Sequence, residues 1–327
     1  MASLIAFGEV LIDWIPLQTQ AFGELEIPVK GQFPGGAPAN VAVALARLGQ
    51  DAKFVGAVGE DDAGIFLRKC LQQFKVDTQH LLTDADHPTP MAFVSLDEHG
   101  ERSFSFSRNN SADLHFSADY FTSELFNGEG IFHICSNTLT DERIFETTLT
   151  GLHQARKCGY INSFDVNLRL PLWADTSALV SRVMDCISHC DIIKLSLEEV
   201  EYLAAERSST EFIQDLLKLG PSIILVTDGG NPVQLFSKQL QLQQATPKVN
   251  VVDTTGAGDA FMGGWLYGLL AQAITSRHAL QLTLNEPEQL QQAMLTAVTC
   301  GGYAVSTQGA WTALPTVADM PSNLRQA

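Results

Sequence analysis

The chain has 327 residues, 45% of them hydrophobic and 17% charged, enough to bury one large core around a deep site. Its net charge of −17 at pH 7 argues against nonspecific attachment to nucleic acid or anionic membrane, where a basic face supplies the affinity. No stretch is apolar for long enough to predict a membrane-spanning helix, and six scattered cysteines without a CxxC pair predict reduced thiols in a cytoplasmic protein.

The opening MASLIAFGEVLIDWI is apolar but carries Glu9 and Asp13 and no basic start, so it predicts a first strand and not a signal peptide. An extended stretch from Trp14 to Phe33 follows, broken by Pro16, Gly23, Pro28 and Gly31. In PGGAPANVAVALARLGQ, Gly35 and Gly36 permit close backbone approach, Pro38 suits a first helical turn, and Gly49 suits a helix end. Val41, Ala44, Leu45 and Leu48 are the predicted buried stripe. An ordinary loop and helix accounts for Val41 onward, but not for a double glycine followed by Asn40, whose amide can donate to and accept from a hydroxylated ligand.

Met91 to Leu96 and Arg102 to Arg108 flank DEHGE, and Phe104 and Phe106 alternate with Ser103, Ser105 and Ser107. This period of two predicts a hairpin with one wet face. Residues 14–33 and 89–110 are together expected to form a small β lid on a single domain spanning 1–327. A substrate or a second subunit would cover its face.

From Ile131, β-rich runs alternate with helical periods. IFHICS precedes a helix from Asp141 to Cys158, YINSFDV one from Ser177 to His189, and DIIKLS one from Leu197 to Ala205; a helix from near Thr210 to Gly220 precedes SIILVTDGG. The alternation predicts an α/β fold with a mostly parallel central sheet, and the continuous apolar strands predict helices on both of its faces. Cys186, His189 and Cys190 share one face of a predicted helix, but with no fourth ligand nearby they do not predict zinc.

VVDTTGAGDAFMGG, Val251 to Gly264, sets a glycine turn before an apolar helix. Amides around Gly256, Ala257 and Gly258 can cradle an anion there, where the helix dipole favours negative charge. Asp259 beside them either caps the helix or accepts a proton from a hydroxyl attacking a phosphate.

Read together, the two glycine motifs resemble those of the PfkB, or ribokinase-like, sugar kinases, with DTxGAGD fully present as Asp253 to Asp259. GGAPANVAVALARLG, FDVNLRLPLW and DIIKLSLEEVEYL are similar to stretches of the family's fructokinases, and the likeness runs from Phe7 to about Pro315. It implies a ribokinase-like three-layer fold and ATP-dependent transfer to O6 of D-fructose, giving fructose 6-phosphate and ADP with Mg²⁺.

By the same resemblance Asp259 matches the base, and Gly256, Ala257 and Gly258 the anion hole. Asp13, Gly35, Gly36 and Asn40 match sugar-binding positions, with Phe104, Arg108 and Asn167 as further candidates. Arg108 either touches the sugar from the lid or ends a solvent-facing strand. Arg169 either reaches the transferring phosphate or pairs with Asp165. Lys194, Ser196, Thr227, Gly229 and Cys300 match nucleotide-binding positions. Ser196 and Glu199 read as a capping box, while the family's NxxE pattern gives the glutamate a role on Mg²⁺ through water. Asp253, Thr255, Ala304, Thr307 and Gly309 match a monovalent cation site, with K⁺ the candidate. Val298 stands where fructokinases commonly carry asparagine. A homodimer through the lid is expected.

Other readings are a PfkB kinase for ribose, 2-keto-3-deoxygluconate or a nucleoside, a noncatalytic sugar sensor, and a dinucleotide-dependent oxidoreductase. The last lacks both the third glycine of GxGxxG and a suitably placed acid.

Overall fold

A computed structural model describes residues 3–96, 102–307 and 309–325. The elements in chain order are β1 (Ser3–Phe7), β2 (Leu11–Phe22), β3 (Leu25–Gly35), α1 (Ala37–Arg47), β4 (Ala52–Gly59), α2 (Asp62–Gln73), β5 (Leu81–Asp84), β6 (Met91–Leu96) and β7 (Arg102–Ser107). They continue as β8 (Gly130–Cys135), α3 (Glu142–Lys157), β9 (Ile161–Asp165), α4 (Leu179–Ser188), β10 (Ile192–Ser196), α5 (Leu197–Ala204), α6 (Ser209–Leu219), β11 (Ile223–Thr227), β12 (Val233–Phe236) and β13 (Gln241–Gln244). The helices α7 (Ala257–Ala271), α8 (Arg277–Thr283) and α9 (Pro287–Val305) complete the chain.

Among the described residues, nine strands form one sheet in the order β13-β12-β11-β10-β9-β8-β1-β4-β5. Pairing is parallel from β11 to β5 and antiparallel only where β12 and β13 extend the edge. Side chains alternate across β1: Leu4 and Ala6 join a core with α1, α2, α7, α8 and α9, while Ile5 and Phe7 join one with α3 to α6. This is the expected three-layer α/β architecture of the ribokinase-like fold, with the sheet covered on both faces.

The anticipated first strand is two. Gly8, at φ 147, separates β1 from β2, which leaves the main sheet to pair with β3. The expected stripe on α1 is too narrow, because the helix lies between the sheet and α7 and Ala37 to Ala46 are all buried. The predicted hairpin is present as antiparallel β6 and β7, and β2 joins it in parallel to give a four-stranded sheet, β3-β2-β6-β7. Its strands cover 11–35, 91–96 and 102–107, while DEHGE and the side chain of Phe104 lie outside the described residues. On its β2–β3 arm Leu17, Phe22, Leu25 and Ile27 are exposed.

Candidate active site

The carboxyl ends of parallel strands gather the polar residues, as open α/β sheets generally arrange. A cavity of about 310 Å³ there is lined by Glu9 and Asp13, Gly36 and Asn40, Phe106, Asn137, Asn167 and Arg169, and by the Thr254–Gly256 turn with Asp259. Segments more than two hundred positions apart thus meet around one space.

On one wall the chain turns at Gly256, in the left-handed region at φ 72, into α7. The first-turn amides of a helix lack intrahelical acceptors. The Ala257 amide meets the Thr254 carbonyl at 3.2 Å, so an anion would compete with that long bond. Asp259 is buried and does not cap α7; its Oδ2 accepts from Asn40 Nδ2 at 2.6 Å. Burial raises its pKa, opposed by the Asn40 hydrogen bond and by the charges of Lys194 and Arg169.

Opposite, Asp13 lies on β2 and its pKa is pushed up to about 7, chiefly by burial and then by the carboxylates of Asp259 and Glu9. The double glycine has two steric reasons. A Cβ at Gly35 would collide with the Asp13 carboxylate, and Gly36, at φ 101, passes against the Glu9 carbonyl. Side chains are excluded where the strand crosses the acid.

Asn167 and Arg169 follow β9. Asn167 holds φ at 38, an uncommon value for a side-chain-bearing residue and one that clusters at functional sites. Arg169 lines the cavity, is exposed, and donates to the Leu168 carbonyl at 3.2 Å. It does not pair with Asp165, whose carboxylate instead accepts from Lys194 Nζ at 2.9 and 3.0 Å. Burial disfavours the Lys194 ammonium, but Asp165 and Glu199 outweigh it and hold the pKa above the ordinary value. A Cβ at Gly258 would lie 3.2 Å from that ammonium, so a fixed positive charge stands beside the first turn of α7.

Ser196 and Thr227 are register partners at the ends of β10 and β11, and Gly229 follows in a left-handed turn at φ 50. Ser196 and Glu199 form the capping box. Glu199 Oε1 also accepts from the Leu168 amide at 2.6 Å and Oε2 from the Ser196 amide at 2.8 Å, so this acid holds the loop that carries Arg169.

Asp253 accepts from the Thr255 amide at 2.9 Å and the Gly309 amide at 3.2 Å, and the Val252 amide donates to the Val305 carbonyl at 2.7 Å. These bonds bring the Asp253–Thr255 turn to the end of α9, where Ala304 and Thr307 lie. Among the described residues no three His, Cys, Asp or Glu side chains are grouped to hold a metal. The acids on the cavity wall, Glu9, Asp13 and Asp259, offer oxygen donors, the chemistry that Mg²⁺ takes alongside nucleotide phosphates and waters.

Arg108 and Cys300 make their contacts away from the cavity wall. Arg108 is buried, donating to Asp113 (2.7 Å), Thr140 Oγ1 (3.0 Å) and the Asn137 carbonyl (2.8 Å), so it anchors the exit of β7 instead of ending a wet strand. Cys300 is buried where α9 meets Gly264 of α7, with its Sγ 3.7 Å from Met320 Sδ. Conversely, the structure brings in Glu9, Phe106, Asn137 and Thr254, and behind them Trp311, whose Nε1 donates to Asn40 Oδ1 at 2.6 Å. Glu9 had a signal: an acid inside the apolar run SLIAFGEVLI must be paired if it is buried. Asn137 sits in a short 3₁₀ turn, Ser136–Leu139, and Trp311 in a loop, both of ordinary composition.

Fold and site together define an α/β phosphotransferase for a small hydroxylated molecule. The chain belongs to the pfkB family of carbohydrate kinases, whose model matches residues 1–317. It is 37% identical over 314 residues to a fructokinase of Vibrio alginolyticus, with 96% of each chain covered. It superposes on the ATP-bound fructokinase of Xylella fastidiosa with a TM-score of 0.90 at 39% identity, covering 97% of this chain and 96% of that one. For the Vibrio cholerae O395 fructokinase in its fructose-, ADP- and calcium-bound form the values are 0.84 and 34%, with 97% of each chain covered.

Proposed function

We propose that the chain is an ATP-dependent fructokinase, transferring the γ-phosphoryl group to O6 of D-fructose to give fructose 6-phosphate and ADP. The observation that carries this reading is Asp259, buried at the start of α7, steadied by Asn40 and facing Asp13 across the cavity. Asp13 and Asn40 hold sugar hydroxyls, with Gly35 and Gly36 giving them room. Asp259 accepts the O6 proton as O6 bonds to phosphorus and the bond to the ADP oxygen breaks. The amides at Gly256, Ala257 and Gly258, with Lys194 and Arg169 nearby, stabilise charge on the moving group.

Lys194, Ser196, Thr227 and Gly229 lie along the strand ends that would receive ATP. A divalent ion bound with the nucleotide would supply charge neutralisation, and Glu199 would orient water toward it while keeping its backbone bonds. Asp253, Thr255, Ala304, Thr307 and Gly309 hold a monovalent cation, K⁺ by preference. The small sheet closes over the sugar through Phe106 and excludes water.

The exposed Leu17, Phe22, Leu25 and Ile27 support a homodimer through that sheet, which sedimentation would read. The free cysteines support a cytoplasmic location.

The test is ADP release under saturating MgATP with D-fructose, D-ribose, 2-keto-3-deoxygluconate and a nucleoside, with the phosphorylated position assigned by NMR. D-fructose should show the highest kcat/KM, and Asp259→Asn should lower kcat by about 10³-fold with the fold intact. A different preferred sugar overturns the substrate; near wild-type turnover of Asp259→Asn overturns the base.

A further inference from the structure

Away from the cavity, two imidazole rings lie face to face at the root of the small sheet. His87 precedes β6 and His115 follows β7; their ring centroids are 3.5 Å apart and their planes 11° from parallel. Beside them the Ala112 amide donates to the Pro88 carbonyl at 2.9 Å, so the chain entering the β6–β7 pair and the chain leaving it meet here. The entering side is tied to the main domain through Thr89, whose amide (2.9 Å) and hydroxyl (2.6 Å) both donate to Asp61. The leaving side is tied through Arg108 and through His115, whose Nδ1 lies 2.9 Å from Arg143 Nη1 on α3 and whose Nε2 lies 2.7 Å from Asn110 Oδ1.

These partners fix the protons. A guanidinium only donates, so His115 Nδ1 is an acceptor and the ring's one proton sits on Nε2, facing Asn110. His87 Nδ1 lies 2.9 Å from Asp84 Oδ2, so that ring turns its proton toward the acid and keeps Nε2 to take a second. The arrangement holds while His115 is neutral. A further proton on it falls on Nδ1, against Arg143, and stacks one cation on another whenever His87 is charged. The carboxylates facing the pair are Asp84 beside His87 and Asp141 at the start of α3; burial first, then the charges of His87 and Arg143, outweigh them and hold His115 below the ordinary histidine range. Both rings are partly exposed, so solvent protons reach them.

We propose that His87 and His115 form an acid-sensitive clasp on the small sheet: a proton taken from solvent at His115 Nδ1 breaks the bond to Arg143, parts the rings and loosens the strand that carries Phe106 to the cavity. The inference rests on the kinase reading above for what the sheet closes on, and goes beyond it by giving sugar affinity a pH dependence separate from that of Asp13 and Asp259. As pH falls through the ordinary histidine range, the unfolded chain takes a proton that native His115 refuses, so this group lowers stability toward acid, opposite in sign to Asp13.

The test is imidazole NMR with steady-state kinetics on wild type, His115→Gln and His87→Gln. His115→Gln keeps an acceptor and a donor at the position but cannot take the proton. Its sugar KM should match wild type at about pH 8 and be about threefold lower than wild type at about pH 5, where protonation of Asp13 weakens both alike. The His115 resonance, assigned by through-bond NMR, should titrate at lower pH than an exposed histidine and move to higher pH in His87→Gln, where the stacked charge is gone. A KM ratio constant from about pH 5 to about pH 8, or a His115 titration unchanged by His87→Gln, overturns the clasp. If His115→Gln fails to fold by circular dichroism, the titration in wild type and His87→Gln decides alone. Failure of the kinase reading is distinct, since wild type would then turn over no sugar while the His115 titration remains readable.

Discussion

Asn40 joins Trp311 to Asp259: the indole Nε1 donates to the amide oxygen at 2.6 Å, and the amide nitrogen donates to the carboxylate at 2.6 Å. The first bond fixes which end of the amide faces the acid. Trp311 therefore acts on the Asp259 carboxylate without lining the cavity.

Trp311→Phe keeps most of the packing against Phe74 but leaves Asn40 Oδ1 unpaired. We expect a stability loss of about 1–2 kcal/mol and a fall in kcat of about tenfold, with sugar KM changed less. Thermal melts and steady-state kinetics measure both. A lowered Tm with unchanged kcat would confine Trp311 to packing.

Asp13 gives a pH dependence of defined sign. Its carboxyl is raised by burial, and by Asp259 and Glu9, from 3.8 to about 7. Between those values the native protein keeps a proton the unfolded chain has released, so this group makes stability decline as pH rises. Asp13→Asn should melt higher than wild type at pH 8, by about 1–2 kcal/mol after allowance for relaxation, with the gain shrinking below pH 7 and absent near pH 4. Wild-type kcat/KM should climb through about pH 7 as the acid ionises. A flat profile from pH 6 to 8 would count against its role on the sugar.

The two glycines should fail differently. Gly35→Ala forces the Asp13 carboxylate aside, so its main effect should be a sugar KM raised about tenfold or more. Gly36→Ala adds a Cβ at φ 101 against the Glu9 carbonyl, so it should lower stability by about 1–3 kcal/mol. Parallel melts and KM values on the two variants would show the split.

Glu199→Ala removes acceptors from the Leu168 and Ser196 amides. Stability should fall by about 1–3 kcal/mol, and kcat should fall as the Arg169 loop loosens. The Mg²⁺ concentration giving half-maximal rate should rise. Unchanged Mg²⁺ dependence with a lowered Tm would restrict Glu199 to bracing that loop.

The helices and strands after Ile131 were legible because each strand is apolar on both faces and punctuated by glycine or polar turns. The glycine turn before α7 and the double glycine were legible because few local roles need those residues in that order. Partnerships were not. Nothing near Lys194 announces Asp165, which lies one strand away, and nothing near Arg108 announces Asp113, Thr140 and the Asn137 carbonyl together. Arg108 sits where a wet strand end is expected, and its burial depends on loops that close only in three dimensions. α1 was underestimated for a related reason: a period of 3.6 identifies one buried face, but α7 supplies a second cover.

The glycines of α7 carry a last consequence. A Cβ at Gly263 would come within 2.5 Å of Ala44, one at Gly264 within 2.8 Å of Cys300, and one at Gly268 within 2.8 Å of Ala293. The helix bearing Asp259 is therefore clamped backbone-close between α1 and α9, with no slack to rotate or slide. One jaw of this vise is fixed and the other is a thin sheet of four strands. Residues can be exchanged on the thin jaw while the placement of Asp259, machined into the fixed one, is left as it was.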